Sequence, residues 1–232
     1  MADSIKVWDV PLRLFHWLLA VSVVVAIATG WIGGNWMFWH GRLGQFIFGL
    51  LVFRLVWGLV GSTYARWSRI CTAPFSLLAY LRGEWRQPGH SPIGSLSVIA
   101  MLALLGFQAG SGLIATDDIA FQGPLYRLVE RDTSALFSSL HRETKWWLIG
   151  LIGLHLAALL FYKLAQKRAL VWAMVCGRAQ RRDAGEREAV GGAWWAVVIA
   201  VAIALLAVWV VQSAAGWMAP PPAPPAPPAL NW

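Results

Sequence analysis

Charge is the scarcest property of this sequence. Asp, Glu, Lys and Arg make up 13% of its 232 residues, where soluble domains carry about 25%. Hydrophobic residues make up 58%, too much apolar surface for one small globule to hide. The shortage of charge is most severe inside five long apolar runs, which contain almost no carboxylates. A proton relay or ion pathway would want such groups there. Cysteine is scarce as well. Cys71 and Cys176 are far apart in sequence, cannot form a zinc cluster alone, and belong to no CxxCH motif of the kind that attaches a c-type haem; they read as two free thiols in loops. The segment Met1–Pro11 carries Asp3, Lys6 and Asp9 and lacks a small-residue cleavage site, so it is not expected to be a cleaved signal peptide.

The apolar runs themselves are about 20 residues long, enough to cross a bilayer as helices. They lie at Leu12–Ile32, Met37–Val60, Leu96–Ala115, Leu140–Tyr162 and Ala193–Ala215. They do not alternate as barrel strands do, and a lone strand in lipid would leave its backbone unsatisfied. The expected fold is therefore an all-α integral membrane protein with five transmembrane helices. Its parts are a core over 1–167, a basic linker over 168–192, the fifth helix over 193–216 and a Pro-rich tail over 217–232.

The formal charge of +8 is a topology signal. No basic stripe on a soluble face suggests nucleic acid. The N-terminus, the second-to-third connection and the fourth-to-fifth connection fall on one side of the membrane. They hold Lys6, Arg13, Arg66, Arg69, Arg82, Arg86, Lys163, Lys167, Arg168, Arg178, Arg181, Arg182 and Arg187. The other side holds Arg42, Arg127, Arg131, Arg142 and Lys145, balanced by five acids. The positive-inside rule places the N-terminus in the cytoplasm, and the C-terminus then lies outside, in the periplasm if the source is Gram-negative. Tryptophans such as Trp36, Trp39, Trp146, Trp147, Trp194, Trp195 and Trp217 fit aromatic belts at the span ends. The segment Pro124–Thr133 reads as a short piece lying at the outer interface. The final PPPAPPAPPALNW favours extended polyproline II, as a disordered tail or as an arm reaching a partner.

Four of the five histidines lie in spans or at their ends, where ionisable residues are costly and usually functional. His141 and His155 share the fourth span. Fourteen residues make four turns less about 40°, so they face nearly the same way, roughly 21 Å apart along the axis. That spacing fits two haems stacked along one helix. Depth pairs His16 with His155 toward the cytoplasm and His40 with His141 toward the outside. Bis-imidazole ligation fills both axial positions and favours electron transfer over ligand binding. A single metal site is disfavoured, because depth splits the four imidazoles and no carboxylate or thiol completes either group. Arg54, fourteen residues after His40, is a candidate for a haem propionate or for snorkelling to the interface; Arg13 and Arg142 are similar candidates near opposite ends of the stack. Gly44, Gly49 and Gly58, with Gly106 and Gly110, would let backbone approach a macrocycle or a neighbouring helix. His90, in PGHSP, reads as a loop-stabilising or solvated histidine outside the ligand set. Asp117 and Asp118 read as a solvated turn, or as proton acceptors near a quinol.

Several stretches carry a resemblance: VWDVPLRLFHW with His16, HGRLGQFIFGLLVFRLVWGLVG with His40, and HRETKWWLIGLIGLHLAALLFY with His141 and His155. They resemble the bacterial cytochrome b561 and Ni-hydrogenase b-type cytochrome superfamily over roughly residues 4–167. PGHSPIG and ATDDIAFQGPL resemble its cytochrome b/b6-domain branch, often found with dihaem c-type cytochromes. The resemblance implies a four-helix bundle with two haem b groups, ligated by His16 with His155 and His40 with His141. It also implies electron exchange between quinone or quinol and a redox partner, here a periplasmic c-type cytochrome, as in a quinol:cytochrome c oxidoreductase. Two other roles belong to the same superfamily: membrane anchor of a hydrogenase or dehydrogenase, and superoxide:quinone oxidoreductase. The balanced outer charge gives superoxide no positive funnel. A homo-oligomer in the lipid bilayer is compatible with either. The fifth span and the Pro-rich tail depart from the core pattern.

Overall fold

The computed structural model describes residues 4–85, 87–119, 121–181 and 185–217. The chain begins with strand β1 (Ser4–Lys6) and helix α1 (Val10–Ile32), followed by α2 (Met37–Val60). Two short helices, α3 (Trp67–Thr72) and α4 (Leu77–Leu81), lead to α5 (Pro92–Ile114). Helix α6 runs over Arg131–Leu164, α7 over Leu170–Cys176, strand β2 over Arg178–Gln180 and α8 over Trp194–Trp217. Helices α1, α2, α5, α6 and α8 are long and apolar enough to span a membrane. The protein is thus an all-α multi-pass membrane protein, as the apolar runs imply. The Pro-rich tail beyond Trp217, and Arg86 and Arg182 of the basic loops, lie outside the described residues.

Helix ends follow local chemistry. Asp9 precedes α1 and its Oδ1 accepts the Leu12 backbone N–H at 2.7 Å, with Pro11 in the first turn. Ser91 does the same for α5, accepting from Gly94 N at 3.1 Å, so α5 starts at Pro92, four residues before the expected Leu96. The largest difference is in α6. Its 34 residues make a rod of about 51 Å, well beyond a hydrocarbon core of about 30 Å. Charged Arg131 and Asp132 and the hydroxyls of Thr133, Ser134, Ser138 and Ser139 hide the helical stretch before Leu140 in a hydropathy reading.

α1 packs on α2, α2 on α5, and α5 on α6. The chain of contacts leaves α1 and α6 flanking a gap, which their outer ends narrow through Trp31 and Trp146, ring centroids 6.1 Å apart. Only 6% of the most apolar window of α6 is buried, so that helix faces lipid and the gap. Helix α8 lies against the far side of α2. Buried Ala196, Ala200 and Ala204, together with Phe53 and Trp57, form the seam; small residues at i, i+4 and i+8 let two helices close on each other. Toward the other end Gln212 Nε2 donates to Gln45 Oε1 at 2.7 Å.

The N-terminal side is tied together. β1 pairs antiparallel with β2, Ser4 opposite Gln180 and Lys6 opposite Arg178. Val7 N and Trp8 N both donate to Gly177 O, and Thr63 N donates to Val190 O at 2.9 Å. The stretch 168–192 is therefore built onto the N-terminus and the second-to-third connection. This places the three basic segments on one side of the bundle, as the charge count required. Cys71 and Cys176 are free thiols there.

Candidate functional site

The end of the bundle away from the N-terminus contains a cavity of about 310 Å³. His40 from α2 and His141 from α6 face each other there, with ring centroids 6.0 Å apart and planes at 90°. Each ring is oriented from behind. His40 Nδ1 lies 2.8 Å from Ala26 O. His141 Nδ1 lies 2.9 Å from Gln108 O and 3.1 Å from Ser111 Oγ. A carbonyl can only accept, so both rings carry their proton on Nδ1 and present Nε2 as a lone pair. Metal-ligating histidines are fixed in this way by their outer partners. Imidazole–metal bonds are about 2 Å long, so centroids near 6 Å leave room for one metal between the rings.

Gln108 builds this end of the site further. Its Nε2 donates to His141 O at 3.0 Å, and Thr144 Oγ1 donates to its Oε1 at 2.7 Å. The outer loop is sewn down beside it: Thr116 N donates to Ser138 Oγ at 2.9 Å, and Ser134 Oγ to Ile114 O at 2.7 Å. This brings Phe121, Asp117 and Pro124 into the cavity wall. Asp117 Oδ1 accepts from Ile119 N at 3.0 Å and Phe121 N at 2.8 Å, so this carboxylate shapes the loop. Arg142 and Lys145 also line the cavity, a position suited to an acidic substituent.

Two glycines decide whether the rings fit, and neither was among those singled out by sequence. A Cβ on Gly30 would lie 3.0 Å from the His40 ring, and one on Gly112 would lie 3.1 Å from His141 Cε1. Of the glycines expected to admit a macrocycle, Gly44 lines the cavity with open space before it. Gly49 instead packs on Val208 of α8, and Gly58 on the Trp67 indole. Gly106 and Gly110 have nothing within 4 Å of a built Cβ.

The second histidine pair lies at the N-terminal side. His16 from α1 and His155 from α6 are near enough to interact electrostatically there. Its Nδ1 is buried without a hydrogen-bond partner, as are Arg54 Nη1 and Arg13 Nε. Buried polar atoms are rarely left so; three at one end of the bundle mark a place for a missing polar or metal-bearing group. Arg54 is 2% exposed, which excludes snorkelling. Its guanidinium sits over the Trp67 ring at 4.5 Å, near the buried Asp9 carboxylate. Asp9 is held by Trp57 Nε1 at 3.2 Å and by the Ser62 hydroxyl. Arg13 is partly used elsewhere, since its Nη1 donates to Val175 O.

His90, expected as a loop-stabilising or solvated histidine, packs its loop against the N-terminal segment. It is half-buried and not remote: its ring packs on Trp8 at 4.6 Å, within electrostatic reach of Arg54, His16 and His155. Burial, then the Arg54 charge, then the two imidazoles push it down to about 4.

Apolar spanning helices with imidazoles oriented toward an internal gap define a membrane b-type cytochrome. The chain belongs to the prokaryotic cytochrome b561 family, whose model matches residues 7–177; that family implies haem b and electron transfer in the membrane. The probable Ni/Fe-hydrogenase B-type cytochrome subunit of Rhizobium leguminosarum bv. viciae is 22% identical over 220 residues, covering 78% of this chain and 91% of that protein. Its counterpart in Azotobacter chroococcum mcd 1 is 22% identical over 223 residues, covering 78% and 90%. The probable Ni/Fe-hydrogenase 1 B-type cytochrome subunit of Escherichia coli (strain K12) is 24% identical over 137 residues, covering 46% and 57%. No solved structure matches the chain.

Proposed function

We propose that this cytochrome carries electrons across a bacterial inner membrane through two haem b groups, between the quinone pool and a redox protein on the periplasmic face, in the first instance a c-type cytochrome. The observation that carries this reading is the outer pair: His40 and His141, 6.0 Å apart, each with Nδ1 against a backbone carbonyl. The inner pair, His16 and His155, would hold the second haem, with Arg54 toward its propionates; Arg142 would serve the outer one. Haem supplies a one-electron couple whose potential the protein tunes through axial ligands, burial and nearby charge. The chain's own residues fix the imidazoles, exclude water and neutralise carboxylates. The N-terminus lies in the cytoplasm and the C-terminus in the periplasm, on the strength of the basic side described above.

The test is a pyridine haemochrome assay on the purified chain, with a reduced-minus-oxidised spectrum. Two low-spin b haems per chain support the reading; one or none overturns it.

A second reading is favoured by the relatives, named as hydrogenase b-type cytochrome subunits and covered over about nine-tenths of their length. In that case the redox partner is a large metalloenzyme and the chain is its membrane anchor. Affinity purification from native membranes separates the two, since a hydrogenase or a c-type cytochrome would co-elute.

A further inference from the structure

The inner histidine pair has a polar neighbour that ligation does not use. His90 comes from the loop just before α5, and its neighbour Ser91 caps that helix through Gly94 N, so the loop's exit is fixed. On one face the ring rests on the buried Trp8 at 4.6 Å. Trp8 is itself pinned, its N–H donating to Gly177 O at 3.1 Å. The imidazole thus has a built seat on Trp8, within electrostatic reach of Arg54, His16 and His155.

Its surroundings define what it would meet. Arg54 is buried with Nη1 unsatisfied. Asp9, its carboxylate neighbour, is already engaged by the Leu12 N–H, the Trp57 indole and the Ser62 hydroxyl. Arg54 therefore has Asp9 beside it but a buried Nη1 with no hydrogen-bond acceptor, which suits a further anionic oxygen. An imidazole in either tautomer carries at least one ring N–H, so His90 offers a donor there. A guanidinium beside a neutral N–H donor suits a carboxylate, which accepts from both.

We infer that His90 is a positioning residue of the inner site, pairing with Arg54 to hold one propionate carboxylate of the haem ligated by His16 and His155. This rests on the reading that the inner pair binds haem. The loop carrying PGHSP then acts as a flap whose imidazole fixes one edge of the macrocycle, while the axial ligands fix its centre. Donation to a propionate disperses its negative charge and raises the potential of that haem alone.

The experiment compares the purified full chain with its His90→Phe and His90→Gln variants, by potentiometric titration and by haem transfer to excess apomyoglobin. In His90→Phe the inner haem's midpoint falls while the outer one stays. Inner haem leaves about tenfold faster, the scale on which supporting residues act. His90→Gln, which keeps an N–H donor, recovers most of both effects. An unchanged midpoint and release rate in His90→Phe overturn the inference, as does equal damage in both variants, which would mark His90 as a packing or ligating residue. A wild-type chain with no inner haem overturns instead the reading on which the inference rests.

Discussion

Gln108 and His141, on α5 and α6, exchange hydrogen bonds. The Gln108 carbonyl receives the His141 Nδ1 proton at 2.9 Å, and the Gln108 amide returns one to the His141 carbonyl at 3.0 Å. The backbone half of this exchange sets the tautomer; the side-chain half sets the distance between helices. Replacing Gln108 by Leu keeps the first and removes the second, together with the Thr144 bond. The expected result is an outer haem bound about tenfold more weakly, with the inner haem unaffected. Haem titration of the apoprotein measures this.

His40→Ala or His141→Ala removes one of two oriented ligands and is expected to leave one b haem per chain. His16→Ala or His155→Ala gives the same count through the other site. Loss of both haems in each single variant would contradict two separate sites. The haemochrome count and the redox titration of the remaining haem distinguish these outcomes.

Gly30→Val and Gly112→Val push on the outer rings, because even a Cβ lies at 3.0–3.1 Å from the His40 and His141 imidazoles. Both variants are expected to lower outer-haem occupancy while the chain still folds. Gly106→Ala meets nothing within 4 Å and serves as the neutral control. Soret absorbance per chain, compared with helicity by circular dichroism, is the readout.

Asp9→Ala removes the α1 cap and leaves Trp57 Nε1, the Ser62 hydroxyl and Arg54 without their carboxylate. A lost cap costs about 1 kcal/mol and a buried unsatisfied donor about 1–3 kcal/mol. A total loss of about 2–4 kcal/mol is expected, seen as a lower midpoint in detergent unfolding. Asp9→Asn retains the cap and loses less.

Gln45→Leu removes the Gln212 bond between α2 and α8. Intramembrane hydrogen bonds of this kind contribute about 0.6 kcal/mol on average, so α8 is expected to stay docked. A disulfide between cysteines introduced at Gly49 and Val208 reports this. Loss of the crosslink on Gln45→Leu would mean that the polar pair, not the alanine seam, holds the fifth helix.

The parts legible in the sequence are those written in one dimension. Span positions follow from the absence of charge, and the two depths of the histidines follow from 14-residue spacing on a straight helix. Met37–Val60 is recovered residue for residue. Other features depend on which faces meet. Gly30 and Gly112 matter because His40 and His141 swing against them from other helices, which no spacing on α1 or α5 reveals. Arg54 suits the interface by sequence alone, and only the packing of Trp67 over its guanidinium buries it. His90 lies in a loop whose composition is that of a solvated turn, and only the packing on Trp8 brings it inward. The apolar run Leu140–Tyr162 lies within α6, but the helix begins nine residues earlier at Arg131, because hydropathy follows lipid contact and not helix length.

The short sheet joining Ser4–Lys6 to Arg178–Gln180 sets an order on assembly. During synthesis from the N-terminus, the first strand must wait for more than 170 intervening residues before its partner exists. Until then Trp8 lacks the Gly177 carbonyl, and the base on which His90 rests is unlatched. That end of the bundle therefore cannot shut before the fourth span is complete, and a prosthetic group entering from that side has until residues 177–180 have emerged to do so.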